Sequence, residues 1–147
     1  WSWREIHDQL MKTDQGAKDE NKEQEGDPQV KARRRQMARE WVVAGGLSRL
    51  KEADVVITNP EHFAVALRYR RGEDAAPLVV AKGVDAAAQR IRTEARRLGI
   101  LQVERRAMAR ALHARVRVGQ AIPEDLYVPV AIVIAMVWRR RASRTTA

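Results

Sequence analysis

The 147-residue chain contains no cysteine, which excludes disulfides and thiolate metal sites and is compatible with a reducing compartment. Its three histidines, His7, His62 and His113, are scattered and show no metal-ligand spacing. No metal or cofactor is therefore expected. Lys82-Gly83 lacks the glycine-rich lead-in of a nucleotide cradle. Asp85 and Glu94 have no recognisable carboxylate partner, so no hydrolase constellation is visible. The longest apolar run, residues 128–138, contains Pro129 and is shorter than the ~20 residues that span a bilayer. No internal repeat is present.

Positive charge is plentiful. Lys and Arg number 28 against 19 Asp and Glu, for a formal charge of +9. Residues 1–40 are nearly balanced, whereas residues 90–117 and 139–144 are strongly basic. No aromatic residue lies within residues 90–117, so no base-stacking platform accompanies the charge. A solvated arginine face, or attraction to anionic headgroups beside a membrane, explains the basic stretches as well as nucleic acid does. Nucleic acid is not expected as the main partner.

The stretch around which the chain is organised is Val55-Val56-Ile57-Thr58-Asn59-Pro60-Glu61-His62-Phe63-Ala64-Val65-Ala66-Leu67-Arg68-Tyr69. Two apolar runs flank a short polar break, the pattern of strand, tight turn and strand. Asn59-Pro60 suits the first two positions of a type I turn. Val65, Leu67 and Tyr69 alternate with Ala64, Ala66 and Arg68, which predicts a strand with one well-buried face. The Asn-Pro bond also permits a particular reaction. Proline has no N–H with which to attack the asparagine side chain. The remaining intramolecular route has the Asn59 side-chain nitrogen attack its own backbone carbonyl, close a succinimide and expel Pro60. An amide nitrogen is a poor nucleophile, so such chemistry needs geometry, a proton acceptor and oxyanion stabilisation. On turn chemistry alone, a plain turn is the favoured reading of Asn59-Pro60, as it is for most such dipeptides.

The wider string resembles the Asn-Pro-Thr-His autocleavage loop of the FlhB/YscU family, the substrate-specificity switch proteins of flagellar and virulence type III export machines. Thr58-Asn59-Pro60, His62 and Phe63-Ala64-Val65-Ala66-Leu67-Arg68-Tyr69 match it, while Glu61 stands where the family usually has threonine. Further matches follow in order: Lys18-Asp19-Glu20, Glu25-Gly26-Asp27-Pro28-Gln29-Val30-Lys31, Val79-Val80-Ala81-Lys82-Gly83, Ala109-Arg110-Ala111-Leu112 and Ile122-Pro123-Glu124-Asp125-Leu126-Tyr127. The resemblance implies a bacterial inner-membrane protein, with a multi-span membrane domain before residue 1 and this portion facing the cytoplasm. Its implied partners are export substrates and chaperones, other export-apparatus proteins and a hook- or needle-length control protein.

The implied site is Asn59, Pro60, Glu61 and His62, acting once within the chain by asparagine cyclisation. His62 could orient the amide, accept its proton or protonate the departing Pro60 nitrogen; it could also simply hydrogen-bond the turn. A carboxylate at Glu61 would oppose negative charge on the Asn59 carbonyl oxygen, or instead accept the amide proton. Slow or absent cleavage is the expectation. A non-cleaving docking member of the family is the nearest alternative.

The pattern predicts one α/β domain, a small mixed four-stranded sheet surrounded by helices and preceded by a long N-terminal linker helix. Residues 1–45 are expected to be a linker helix or flexible connection, with Trp1 and Trp3 placed to sit at a membrane interface. Within it, residues 13–26 lack large apolar anchors, and Asp27-Pro28 is a good helix start. A face of Val30, Met37, Trp41 and Val42 follows, and Gly45-Gly46 loosens or ends that helix. Residues 46–138 form the autocleavage-type domain, and residues 139–147 a basic disordered tail. Expected strands cover residues 53–57, 63–69, 77–81 and 100–103. Asp85 is expected to cap a helix that Gly99 terminates. Further helices run through Met108, Leu112 and Arg115 and over residues 124–138, with His113 partly exposed and structural.

Overall fold

The structure is a computed structural model describing residues 1–13, 46–60 and 62–146. The linker expected over residues 14–45, including the Asp27-Pro28 start and the face of Val30, Met37, Trp41 and Val42, lies outside the described residues. Helix α1 (Trp3–Thr13) comes first, and a 3-10 turn (Gly46–Glu52) leads into strands β1 (Val55–Asn59), β2 (Phe63–Arg68) and β3 (Leu78–Val84). Then come α2 (Asp85–Leu98), β4 (Leu101–Glu104), α3 (Arg106–Arg115), a second 3-10 turn (Glu124–Leu126) and α4 (Tyr127–Thr146).

The strands form one sheet in the order β3-β2-β1-β4. β1 pairs antiparallel with β2 and parallel with β4, and β2 pairs antiparallel with β3. The α/β class and the four-stranded mixed sheet are as the sequence pattern implied. β2 departs from the one-faced strand its alternation suggested. Phe63 to Leu67 are all buried, because helices cover both faces of the sheet. Val55, Ile57, Val65, Leu67 and Val79 pack with residues of α1, α3 and α4. Val56, Ala64, Ala66, Val80 and Ala81 pack instead against Ala88, Ile91 and Ala95 of α2 and Leu50 of the first 3-10 turn. The alternation of large and small residues therefore separates two cores, the thinner one beneath α2.

Gly83 explains how α2 comes so close. A Cβ built there would lie 2.6 Å from the Ala87 Cβ and 3.0 Å from the Ala87 carbonyl carbon. β3 runs past the expected end at Ala81, because Gly83 pairs with Ala64 and Val84 with Phe63, extending the ladder to the end of the hairpin. Gly99 ends α2 as expected, in the left-handed region at φ 74°, with its N–H donating to the Arg96 carbonyl.

Two features overturn expectations at the chain ends. Trp3 is 1% exposed, its ring edge-on to Tyr69 and Tyr127 at 5.4 and 5.9 Å. It is thus a core residue of the α1–α4 contact, whereas Trp1 is exposed. α4 continues through the stretch expected to be a disordered tail and ends at Thr146. Arg139, on that helix, donates to the Leu10 carbonyl of α1 at 3.1 Å, a favourable place for a cation near a helix C-terminus. Pro129 is tolerated because it sits in the first turn of α4, where backbone N–H groups have no intrahelical partner. Among the described residues, no helix is long and apolar enough to cross a membrane.

Candidate functional site

Asn59 is the last residue of β1 and pairs across the hairpin with Phe63. The loop between them closes through the His62 N–H, which donates to the Asn59 carbonyl oxygen at 3.0 Å. This is the four-residue turn that Asn-Pro chemistry favours. Its base is fixed firmly: Thr58 and Asn59 are both 5% exposed, and the Thr58 carbonyl accepts the Arg105 N–H at 2.9 Å beyond the end of β4. The Asn59 carbonyl oxygen thus accepts one backbone N–H, from His62.

His62 is held from the far side by the residue that opens α2. The Asp85 N–H donates to the His62 carbonyl at 2.9 Å, and an Asp85 carboxylate oxygen lies 3.5 Å from His62 Nδ1. Asp85 has φ 45°, a left-handed conformation that aspartate tolerates better than most residues. Val84 precedes the helix with extended backbone and, being apolar, forms no side-chain cap bond, while Asp85 opens α2 and faces the hairpin loop. Asn59, Pro60 and His62 thus share one loop, as the sequence placed them. Glu61 lies outside the described residues.

Two neighbours of the site were missed by sequence reasoning. Lys82 donates through Nζ to the carbonyls of His113 and Val116, at 2.8 and 2.9 Å, and so ties the C-terminal end of α3 to the sheet. Burial lowers its pKa from the ordinary lysine value, with a further push from Arg117. His113 places its ring 5.2 Å from that of Phe63, so it backs the residue that pairs with Asn59. At the other end of β2, Arg68 forms a bidentate pair with Asp74 at 3.2 and 2.8 Å and reaches Glu52 at 2.8 Å. None of these pairings has a short-range signal, since the partners lie 6 to 50 positions apart. Among the described residues, no group of three histidine, aspartate or glutamate side chains is placed to hold a metal ion.

The family model described as "FlhB HrpN YscU SpaS Family" matches residues 1–137. The flagellar biosynthetic protein FlhB of Bacillus subtilis is 41% identical over 127 residues, covering 86% of this chain and 35% of that protein. FlhB of Salmonella typhimurium is 42% identical over 135 residues, 92% of this chain and 35% of that protein. The chain thus spans about a third of the length of these relatives. Among solved structures, the cytoplasmic domain of FlhB from Shewanella putrefaciens superposes with a TM-score of 0.66 at 39% identity, over 70% of this chain and 79% of that one. A mutated EscU C-terminal domain gives a TM-score of 0.61 at 33% identity, over 67% of this chain and 91% of that one. The match runs through the hairpin, the sheet and most of α4, and by it this chain belongs to the FlhB/YscU family.

Proposed function

We propose that this chain is the cytoplasmic portion of an inner-membrane component of a bacterial type III protein-export machine. On this reading it docks export substrates and their chaperones, and a self-cleaving loop at Asn59-Pro60 changes which substrates pass. Its other partners are export-apparatus proteins and a hook- or needle-length control protein, and it reaches the membrane through a preceding domain. The observation that carries the chemistry is the His62 N–H, 3.0 Å from the Asn59 carbonyl oxygen.

The reaction follows from that geometry. Asn59 Nδ2 attacks the Asn59 carbonyl carbon, forming the C–N bond of a five-membered ring and moving charge onto the carbonyl oxygen. The His62 N–H stabilises that charge; a single such donor is worth about 10²–10³ in rate where it has been removed from other enzymes. Collapse of the intermediate breaks the bond to Pro60. The proton shed by Nδ2 ends on the Pro60 nitrogen, which leaves as a secondary amine, and water later opens the succinimide. On this reading the His62 ring relays that proton, and Asp85, with a carboxylate oxygen 3.5 Å from its Nδ1, is a positioning residue for the ring. The loop reacts once, because it consumes its own peptide bond.

Glu61 favours a second reading, in which the chain docks partners with its loop uncut. A carboxylate directly after Pro60 would either accept the amide proton or oppose charge on the Asn59 carbonyl oxygen, and this second reading takes the latter, each 1.4 kcal/mol of opposition slowing the reaction about tenfold. Denaturing electrophoresis separates the two readings: cleavage yields residues 1–59 and 60–147, and a docking-only protein stays whole. Native size-exclusion chromatography should show the cut halves travelling together. Val55, Val56 and Ile57 are fully buried, each contributing about 1.5–3 kcal/mol, and the β1–β2 ladder does not depend on the turn bond. Fragments that separate without denaturant would contradict this.

A further inference from the structure

At the end of the sheet opposite the Asn59 loop lies a cleft of about 580 Å³, bounded by the start of β1, the α2–β4 turn, β4 and the last turns of α4. Among the described residues, Lys51, Arg96, Arg140, Arg141 and Arg144 line it, against one carboxylate, Asp54. That carboxylate is already engaged, accepting from the Tyr69 N–H at 2.7 Å and from Arg141 at 2.8 Å. Four further cations therefore line the cleft beside that neutralised pair, and all five basic side chains belong to exposed residues. The walls between them are apolar: Val137, Ile100, Leu101 and Leu98, the last exposed although it is a large hydrophobic residue.

We propose that this cleft binds a short acidic segment of a protein partner, with its carboxylates on the arginines and one or two apolar side chains on the floor. Spacing supports a chain over a point ligand. Val137, Arg140, Arg141 and Arg144 fall at i, i+3, i+4 and i+7 on one face of α4. That face runs for about 10 Å at 1.5 Å per residue, the length of roughly three extended residues at ~3.3 Å each. The backbone amides that might cradle a lone phosphate are spent: the Gly99 N–H donates to Arg96 and the Ile100 N–H to Ala95. Among the described residues no aromatic side chain lines the cleft, so stacked bases find no platform there. A bilayer face cannot enter a concavity between a strand and a helix.

The site stands independently of the loop chemistry, since the cleft opens where β1 and β4 begin and Asn59 lies where β1 ends. The test uses a fluorescein-labelled peptide carrying two Glu-Asp-Leu repeats, titrated by anisotropy against the whole chain. Controls are its Gln-Asn-Leu counterpart, inorganic phosphate, phosphatidylglycerol vesicles and a single-stranded oligonucleotide. Saturable binding of the acidic peptide is expected, at least tenfold tighter than its amide counterpart. The Arg140→Glu/Arg144→Glu variant, changed only at exposed helix positions, should lose it at least tenfold while keeping its melting temperature. Salt should weaken binding, since exposed charge pairs are screened over about 10 Å at 0.1 M. Amide shifts on peptide addition should centre on Leu98 to Gln102. Equal affinity for the variant, equal binding of the amide peptide, or binding of vesicles or oligonucleotide without the acidic peptide would overturn the proposal. Amide shifts centred elsewhere, were the variant to fold poorly, would overturn it as well.

Discussion

Replacing Gly83 with alanine should destabilise the domain and disturb the cleavage loop together. The added Cβ would sit 2.6 Å from the Ala87 Cβ, 3.0 Å from the Ala87 carbonyl carbon and 3.2 Å from the Ala88 nitrogen. Carbon atoms pack best at about 3.5–4.0 Å, so α2 must move off the sheet by roughly 1 Å. Two of the three atoms met are backbone and none is the tip of a flexible side chain, leaving nowhere to yield locally. Overpacking of this kind costs about 1–3 kcal/mol. Loss of glycine's freedom in the unfolded chain returns about 0.4–1 kcal/mol. The net is a loss of about 1–2 kcal/mol, or a fall in Tm of roughly 5–15 °C for a domain near 100 residues. Ala87→Gly in the same chain should relieve the contact, although it costs about 1 kcal/mol in helix propensity on its own. A double-mutant cycle by thermal and urea unfolding should therefore give a coupling above about 1 kcal/mol. Because α2 opens with Asp85, two residues on, the same displacement draws the carboxylate from His62 and should slow cleavage. An unchanged Tm for Gly83→Ala, or a coupling near zero, would refute the packing argument.

Two further perturbations address single side chains. Asp85→Asn keeps a residue tolerant of positive φ and removes the charge beside His62, so cleavage measured in the Glu61→Thr background should slow by roughly tenfold, about 1.4 kcal/mol; an unchanged rate would leave Asp85 with only its backbone bond to the loop. His7 is 1% exposed, and neither ring nitrogen finds a hydrogen-bond partner among the described residues. Burial lowers its pKa, Asp8 opposes that shift and Arg71 adds to it. Below the ordinary value of 6.5 the unfolded chain binds a proton that the folded chain refuses. Stability is therefore retained above that pH and falls as the pH drops, by at most ~1.4 kcal/mol per pH unit. Hydrogen-exchange protection factors of residues 3–13, taken relative to the intrinsic rate at each pH, should fall between pH 7 and 5.5 in the original chain and less so in His7→Leu. Parallel profiles for the two would show that another group governs the response.

Much of the domain was legible because its signals are local. The hairpin followed from two apolar runs about Asn59-Pro60, the end of α2 from Gly99, and β4 from Leu101 and Val103 after it. What escaped depends on neighbours distant in sequence. Ala64 and Ala66 looked like the less buried face of β2 until α2 covered them, and only Gly83 allows that approach. Asp85 read as a helix cap, yet it meets His62 across 23 positions, and no periodicity encodes such a meeting. Trp3 and the basic end of α4 carried interfacial and disordered signatures, and each instead rests on the other helix, through Tyr127 and through the Arg139 bond to Leu10. The shared loop of Asn59, Pro60 and His62 was legible because one tight turn brings them together.

The most direct test of the account is intact mass spectrometry of freshly purified protein over time. It compares the chain as written with its Glu61→Thr and Asn59→Ala variants. The account predicts fragments 1–59 and 60–147, the first ending in a succinimide or its hydrolysis product. They should appear slowly in the chain as written, faster in Glu61→Thr and never in Asn59→Ala. Equal rates in the first two would show that the Glu61 carboxylate does not hold the reaction back. A Glu61→Thr protein that stays whole, or an Asn59→Ala protein cut at the same bond, would contradict cyclisation of Asn59 itself.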